Sequence, residues 1–173
     1  MECFDELKSI IAKLRAEDGC PWDREQTHMS LKAPCIEEAA EVIAGINILD
    51  KTGNAENLKE ELGDLLLQVM MHSCIAEEEG LFTTEDVIKG ITEKMIRRHP
   101  HVFGDVTVSD SGEVLRNWEE IKKQEKIGKV DDTVFLEEAF DESKELIETA
   151  RERKERKRRE KAQQKGGPEN GKS

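Results

Sequence analysis

The sequence predicts an all-α protein with a helical, basic C-terminal tail, and three observations support this prediction. Apolar residues recur every three or four positions along most of the chain, which is the period of an amphipathic helix. Charged residues make up 38% of the 173 residues and aromatic residues only 4%, whereas β-rich domains rely on β-branched and aromatic side chains. Residues 151–165 carry nine Lys/Arg and three Glu, so this end of the chain is strongly basic.

Two helices and an irregular connection are predicted for the first 50 residues. Helical spacing of apolar side chains predicts a first helix over 3–16. A turn signal follows, and residues 20–28 are expected to be irregular. Pro34 suits the first position of a second helix, which we expect to end near Leu49. The inward-facing side chains of this helix are predicted to be Ile36, Ala39, Ala40, Ile43 and Ile46.

The third and fourth predicted helices have clear start and stop signals. The third covers 55–79, with Asn54 as its N-cap and Gly80 as its stop. The fourth covers 85–98 and is expected to be capped by Thr84. The buried face of the third helix is predicted to consist of Leu58, Leu62, Leu65, Leu66, Val69 and Met70.

The last third of the sequence is predicted to contain two more helices. Residues 99–105 are expected to form a loop, and a fifth helix is predicted over 112–126. A sixth begins near Asp132, where apolar side chains again recur at helical spacing. Residues 151–165 lose almost every apolar side chain, so they are expected to form a fraying, solvated helix.

The predicted organisation is one globular domain with an extension. The domain covers 1–128, and the helical extension covers 129–165 and is basic from Arg151. Residues 166–173 are expected to be disordered, because glycine and polar residues replace the apolar pattern.

The net charge of −12 is unevenly distributed and limits the classes of partner. Residues 1–150 carry 17 Lys/Arg and 35 Asp/Glu, so this part stands at −18. Such a surface repels nucleic-acid phosphates, and nucleic-acid binding is not expected except through the basic tail. The sequence has no apolar run long enough for a membrane span and no basic-then-apolar start, so we expect a cytoplasmic protein with no membrane partner.

Two acidic clusters lie within apolar stretches of the second and third predicted helices: Glu37, Glu38 and Glu41, and Glu60, Glu61 and Asp64. Carboxylates three residues apart share a helix face. Two such pairs on facing helices would place four carboxylates around one point, which requires a cation between them. Oxygen-only ligands favour Mg²⁺, with Mn²⁺ as a substitute. The alternative, a solvated acidic surface, remains open at this point.

Basic residues provide a second candidate site. Lys94 and Arg98 are four residues apart, so they share a helix face and are suited to clamp phosphate oxygens. Trp118 and Lys122 have the same spacing, which would give a ring for base stacking and another phosphate contact. The alternatives are cations that favour a helix C-terminus and a tryptophan that packs in the core.

Four ordered motifs carry a resemblance to a known family: Cys20-Pro21-Trp22-Asp23-x-x-Gln26-Thr27, Glu37-Glu38-x-x-Glu41-Val42, Glu61-Leu62-Gly63-Asp64-Leu65-Leu66, and Arg97-Arg98-His99-Pro100-His101-Val102-Phe103-Gly104-Asp105. Over about residues 3–126 the chain resembles the MazG nucleoside triphosphate pyrophosphohydrolases. The resemblance implies an all-α fold in which helices from two subunits form a four-helix bundle. It also implies Mg²⁺-dependent hydrolysis of nucleoside triphosphates to the monophosphate and pyrophosphate.

The resemblance also implies roles for individual residues. Lys94 and Arg98 match phosphate contacts of the family, and Trp118 matches a nucleotide contact. Glu37 and Glu60 lie in stretches that bind nucleotide, and we consider either as the group that orients the attacking water. The residues that match the metal ligands of the family are Glu38, Glu41, Glu61 and Asp64.

The sequence therefore predicts a Mg²⁺-dependent nucleoside triphosphate pyrophosphohydrolase that forms a homodimer or a higher homo-oligomer and serves nucleotide-pool housecleaning. Two alternatives remain. One is a catalytically silent helical interaction protein on the same scaffold, and the other is a narrower, deoxynucleotide-specific diphosphatase.

Overall fold

Every regular element of the described chain is an α-helix. The computed structural model describes residues 2–128 and 131–165, and the expected disorder of 166–173 falls outside these ranges. The prediction of an all-α fold is confirmed. The helices are α1 (Glu2–Arg15), α2 (Pro21–Arg24), α3 (Lys32–Thr52), α4 (Glu56–Glu78), α5 (Thr84–Arg98), α6 (Pro100–Phe103), α7 (Ser111–Lys126) and α8 (Thr133–Lys165).

Two short helices occupy segments that were expected to be irregular. α2 forms one turn within 20–28, and α6 forms one turn within the predicted loop 99–105. Proline begins both turns, because its fixed φ suits the first helical position and its missing N–H costs nothing there. Single turns with so few apolar positions carry no periodic signal, which is why the spacing rule missed them.

Several caps and starts of the longer helices differ from prediction. α3 begins at Lys32, so Pro34 is its third residue, still within the first turn where backbone N–H groups lack intrahelical partners. Thr83 caps α5, and Thr84 does not: the Thr83 side chain accepts from the Asp86 N–H while Asp86 accepts from the Thr83 N–H. Asn54 was predicted to be the N-cap of the third helix, but α4 begins at Glu56, so Asn54 lies one residue before the N-cap position; its Oδ1 accepts from the Glu56 N–H at 2.9 Å.

The chain divides into two compact units. One unit combines the N-terminal residues up to Arg24 with Met70–Asp132, and the other combines Glu25–Val69 with the residues from Thr133 onward. The boundary falls within α4, between Val69 and Met70.

The first unit packs the C-terminal half of α4 against α1. Its buried apolar side chains are Ile11, Met70, Met71, Ile75 and Ala76. The side chain of Arg15 is almost fully buried and pairs with Glu78 at 2.6 Å, which holds the pKa of Glu78 below its usual range. Lys8 pairs with Glu85 at 2.7 Å and so ties the start of α5 to α1.

The second unit contains α3, the N-terminal half of α4, and α8. α3 and α4 lie close together at Gly45, where an added Cβ would lie 2.8 Å from the Cα of Leu58. α8 packs along α3, with Ala150 buried and Lys32 paired with Glu142 at 2.8 Å.

Several apolar side chains of α3 and α4 are exposed, although they were predicted to be buried. Ile43 is 60% exposed, and Ile46, Leu62, Leu66 and Val69 are between 40% and 50% exposed. The helical spacing correctly groups these residues into stripes, but α3 and α4 meet through Gly45 and Leu58 rather than through the isoleucines. The burial prediction is therefore wrong for this single chain. Leu115 in α7 and Val134, Leu136, Phe140 and Ile147 in α8 are exposed as well.

Substitution Gly45→Ala tests the close approach of α3 and α4. The added methyl group would overlap backbone atoms of Leu58, so we expect the free energy of unfolding to fall by about 1–3 kcal/mol. The control Gly90→Ala lies in α5 with nothing near its added Cβ, and alanine there should raise stability by about 0.5–1 kcal/mol. Thermal unfolding of both variants checks this expectation, and equal stabilisation by the two substitutions would contradict the close approach.

Candidate metal centre and basic cleft

Three carboxylates of the second unit converge on one point. Glu38 extends from α3, and Glu61 and Asp64 extend from α4, one turn apart. One carboxylate oxygen of each lies within 4.8 Å of the other two. Glu61 is only 8% exposed, and its Oε1 accepts a hydrogen bond from the Asn57 amide at 2.9 Å, which fixes its orientation. The predicted grouping of Glu38 with the Glu61–Asp64 pair is therefore found in the structure.

The electrostatics of this cluster favour a bound cation. Partial burial raises the pKa of Glu38, and the neighbouring charges of Glu41, Asp64 and Glu61 raise it further. Both effects penalise the ionised carboxylate, and a divalent cation at the centre would remove the penalty.

The remaining acidic candidates are arranged differently. Glu41 lies outside the group of three, and its carboxylate pairs with Lys154. Glu37 pairs with Arg153, and its side chain is only 12% exposed. Glu60 is exposed on α4. The structure thus separates the six predicted acidic residues into a cluster of three, two that pair with α8, and one at the surface.

A buried amide lies on the same face of α4 as the cluster. Gln68 is four residues after Asp64 and seven after Glu61, so the three side chains share one helical stripe. Gln68 is 7% exposed, and its Oε1 is buried without a hydrogen-bond partner within the described residues. A buried carbonyl oxygen without a partner costs free energy, so this position suits an additional donor or cation.

The predicted basic residues line a separate cleft within the first unit. Lys94 and Arg98 of α5 and Lys122 of α7 border a cleft of about 390 Å³. Arg97, Lys126 and three acidic residues complete its lining. The structure thus brings three predicted phosphate contacts to one concave surface.

Glu125 holds two of the cleft's cations in place. Its carboxylate accepts hydrogen bonds from Arg97 at 2.7 Å and from Arg98 at 2.6 Å. Hydrogen bonds from Arg98 and Arg97 lower the pKa of Glu125 to about 2. The arginines are therefore oriented before any ligand arrives, and a phosphate ligand would compete with this carboxylate.

Trp118 contacts the same arginine. The Arg98 guanidinium lies 5.6 Å from the Trp118 ring centroid, and the His99 ring meets that ring edge-on at 4.8 Å. Trp118 is half-buried in this arrangement. It therefore supports Arg98 directly, and its predicted contact with a nucleotide base stays a prediction.

Sequence reasoning missed Glu125 and the two α8 cations. Glu125 lies one turn after Ile121 on α7 and looks like one of many surface glutamates. Arg153 and Lys154 belong to a uniformly basic run that was expected to be solvated; both stay partly exposed, but they also pair with carboxylates of α3, which was not predicted. The available signal was charge complementarity, because α8 is the most basic segment and α3 carries an acidic run.

The described helices include none that is long and apolar enough to span a membrane. The fold and the clustered carboxylates together define an all-α protein with a candidate divalent-metal centre. Residues 26–103 match the family model of the MazG nucleotide pyrophosphohydrolase domain, so this part of the chain belongs to the MazG family. The resemblance noted in the sequence motifs is thereby confirmed.

Several curated proteins are similar to the chain. It is 54% identical over 123 residues to the nucleoside triphosphate pyrophosphohydrolase/pyrophosphatase MazG of Thermotoga maritima, covering 71% of this chain and 45% of that protein. It is 43% identical over 130 residues to the nucleoside triphosphate pyrophosphohydrolase of Escherichia coli strain K12, covering 75% and 48%. It is 56% identical over 123 residues to the uncharacterized protein YabN of Bacillus subtilis, covering 71% and 24%. The chain thus spans less than half the length of these relatives.

The Glu125 ion pairs predict a specific pH dependence of stability. The pKa of Glu125 is lowered to about 2 from the ordinary 4.5, so the stabilisation is fully present above 4.5 and is lost as the pH falls towards 2. Glu125→Gln should therefore lower the free energy of unfolding at about pH 7, and the difference from the unmodified chain should shrink at about pH 2.5. Urea unfolding at both pH values measures this difference.

The matched control is Glu120→Gln, an exposed carboxylate on the same helix that contacts two exposed neighbours, Lys123 at 3.6 Å and Gln124 at 3.1 Å. We expect little change from it at either pH. A Glu125→Gln effect that is the same at both pH values would contradict the assigned role of the ion pairs.

Proposed function

We propose that the chain is a nucleoside triphosphate pyrophosphohydrolase that uses Mg²⁺ to release pyrophosphate and the nucleoside monophosphate. The observation that carries this proposal is the convergence of Glu38, Glu61 and Asp64 within 4.8 Å, inside the segment that belongs to the MazG family. The names of the Thermotoga maritima and Escherichia coli relatives support the same reaction class.

The donor set of the cluster suits Mg²⁺. Its candidate ligands are all oxygens, which hard divalent cations prefer over nitrogen or sulfur ligands. The unpartnered carbonyl of Gln68 adds a neutral oxygen on the same face of α4. Mg²⁺ neutralises phosphate charge and lowers the pKa of bound water.

The protein side chains have distinct proposed roles. Glu38, Glu61 and Asp64 hold the metal, with Glu41 as the fourth ligand, and Asn57 keeps Glu61 oriented through its amide. Glu37 or Glu60 orients the attacking water.

Substrate binding is proposed for the basic and aromatic candidates. Lys94, Arg98 and Lys122 bind the phosphates, and Lys94 and Arg98 stabilise the charge that develops as the anhydride bond breaks. Trp118 contacts the nucleotide. The hydrogen bonds between Glu125 and Arg98 orient that arginine for a planar, two-point contact with phosphate oxygens.

We also propose that the functional form is a homo-oligomer. The exposed apolar stripes of α3 and α4, which include Ile43, Ile46 and Leu62, support this proposal because such surface is costly to leave in water. A bundle shared between subunits would cover it. The organisation into a catalytic domain over 1–128 and an extension over 129–165 is part of the same proposal, as is a role in nucleotide-pool housecleaning.

Pyrophosphate release by the purified full chain tests the proposed activity. With Mg²⁺ and a panel of NTPs and dNTPs, we expect release that depends on the metal. Glu38→Ala and Asp64→Ala should each lower kcat/KM by about 100-fold or more, because each removes an oxygen from the cluster. Glu56→Ala, an exposed carboxylate on α4, serves as the matched control and should retain activity.

The outcomes separate the alternatives. No release from any nucleotide would favour the catalytically silent interaction protein. Release from deoxynucleotides alone would favour the narrower diphosphatase. Full activity in both cluster variants would place the chemistry elsewhere and would overturn the proposed metal centre.

A further inference from the structure

Two cations of α8 are paired with carboxylates of the acidic run on α3. The Arg153 guanidinium donates to Glu37 Oε2, and the Lys154 ammonium donates to Glu41 Oε1. Three turns earlier in α8, Glu142 accepts from Lys32 at 2.8 Å. These three ion pairs align α8 along α3 with Ala150 buried beside them.

Partial burial makes the two carboxylates depend on a counter-cation. The side chain of Glu37 is 12% exposed and that of Glu41 is 34% exposed. An ionised carboxylate that is largely removed from water is costly unless a cation compensates it. α8 therefore supplies counter-charges to two carboxylates of the acidic run of α3.

The pairing of Glu41 bears directly on the metal cluster. Glu41 is one helical turn from Glu38, and its charge contributes to the raised pKa of Glu38. The Lys154 ammonium occupies part of the accepting capacity of Glu41 Oε1 and neutralises its charge, so docked α8 weakens the attraction of Glu41 for a metal ion. Conversely, a divalent cation held by Glu38, Glu61 and Asp64 repels a lysine ammonium bound one turn away.

The contact between α8 and α3 is open at one place. A groove of about 450 Å³ lies between α3 and α8, lined by residues that include Ile36, Ala40, Glu41, Lys154 and Arg158. On the N-terminal part of α8, Phe135 and Phe140 are 70% and 61% exposed. These two side chains therefore contribute little to the docking of α8 on α3.

We propose that α8 is a built-in competitor of the divalent metal: while it is docked, Arg153 and Lys154 neutralise Glu37 and Glu41, and full metal coordination requires this segment to leave α3. The inference deepens the proposed function, because it rests on the metal centre described there. It assigns the basic tail an autoinhibitory role within its own chain.

Mn²⁺ affinity of the full chain tests the competition without any nucleotide. Free Mn²⁺ is followed by its electron paramagnetic resonance signal during titration with the double variant Arg153→Ala/Lys154→Ala. The two ion pairs neutralise carboxylates beside the cluster, so removing both cations should tighten the apparent Kd by about three- to ten-fold. The control is Arg156→Ala/Lys157→Ala, which removes the same charge from exposed positions of the same helix.

A second variant keeps both cations and weakens the docking of α8 at a distance. Glu142→Gln removes the charge partner of Lys32, so α8 should be released more often and the apparent Kd for Mn²⁺ should tighten by about two-fold. This variant leaves the acidic cluster and the basic run unchanged, and circular dichroism verifies that the helix content is retained.

Two outcomes would overturn the inference. One is a double variant that binds Mn²⁺ no more tightly than the Arg156/Lys157 control, and the other is an absence of Mn²⁺ binding in every variant. The proposed activity is tested separately. A chain that shows the predicted shifts in Mn²⁺ affinity but releases no pyrophosphate would support the competition and contradict the proposed enzymatic activity.

Discussion

Repulsion among the carboxylates of α3 and α4 is the constraint on which the second unit depends. Glu38, Glu61 and Asp64 are held within 4.8 Å of one another, and Glu37 and Glu41 add two more charges on α3. Helix geometry enforces this density, because residues three or four apart must share a face. Arg153 and Lys154 already reduce this repulsion by pairing with Glu37 and Glu41, and the proposed Mg²⁺ would reduce it at the other three carboxylates. The excess of acidic residues in the first 150 positions is thus concentrated, in part, at the proposed metal centre.

The first unit contains the reverse arrangement, in which clustered cations are held by one carboxylate. Arg97 and Arg98 converge on Glu125, whose pKa falls to about 2 as a consequence. In each unit an internal ion pair holds a side chain that we assign to ligand binding: Arg98 in the first unit and Glu41 in the second. A ligand at either site must displace or share the ion-pair partner of that side chain. The exchange of an internal partner for a ligand costs little free energy, because one favourable charge contact replaces another. The internal ion pairs also reduce the conformational freedom that binding must remove.

Local sequence signals predicted the features that depend on neighbouring residues. Periodicity predicted both ends of α1, α4 and α7 to within one residue. The spacing of Glu61 and Asp64 predicted that their carboxylates share a helix face, and the structure contains this arrangement. Features that depend on distant residues were not predictable in the same way. The Arg153–Glu37 pair joins positions 116 residues apart, and no spacing rule reaches that far. The exposed face at Ile43 was missed because periodicity identifies an apolar stripe without saying whether the same chain covers it.

Anomalous diffraction from crystals grown with Mn²⁺ would locate the proposed metal directly. We expect one or more Mn²⁺ peaks at coordination distance, about 2.0–2.3 Å, from oxygens of Glu38, Glu61 and Asp64. Lys154 should no longer contact Glu41 in that state. Peaks located elsewhere in the molecule, or a cluster whose three carboxylates bind no metal at saturating Mn²⁺, would contradict the account.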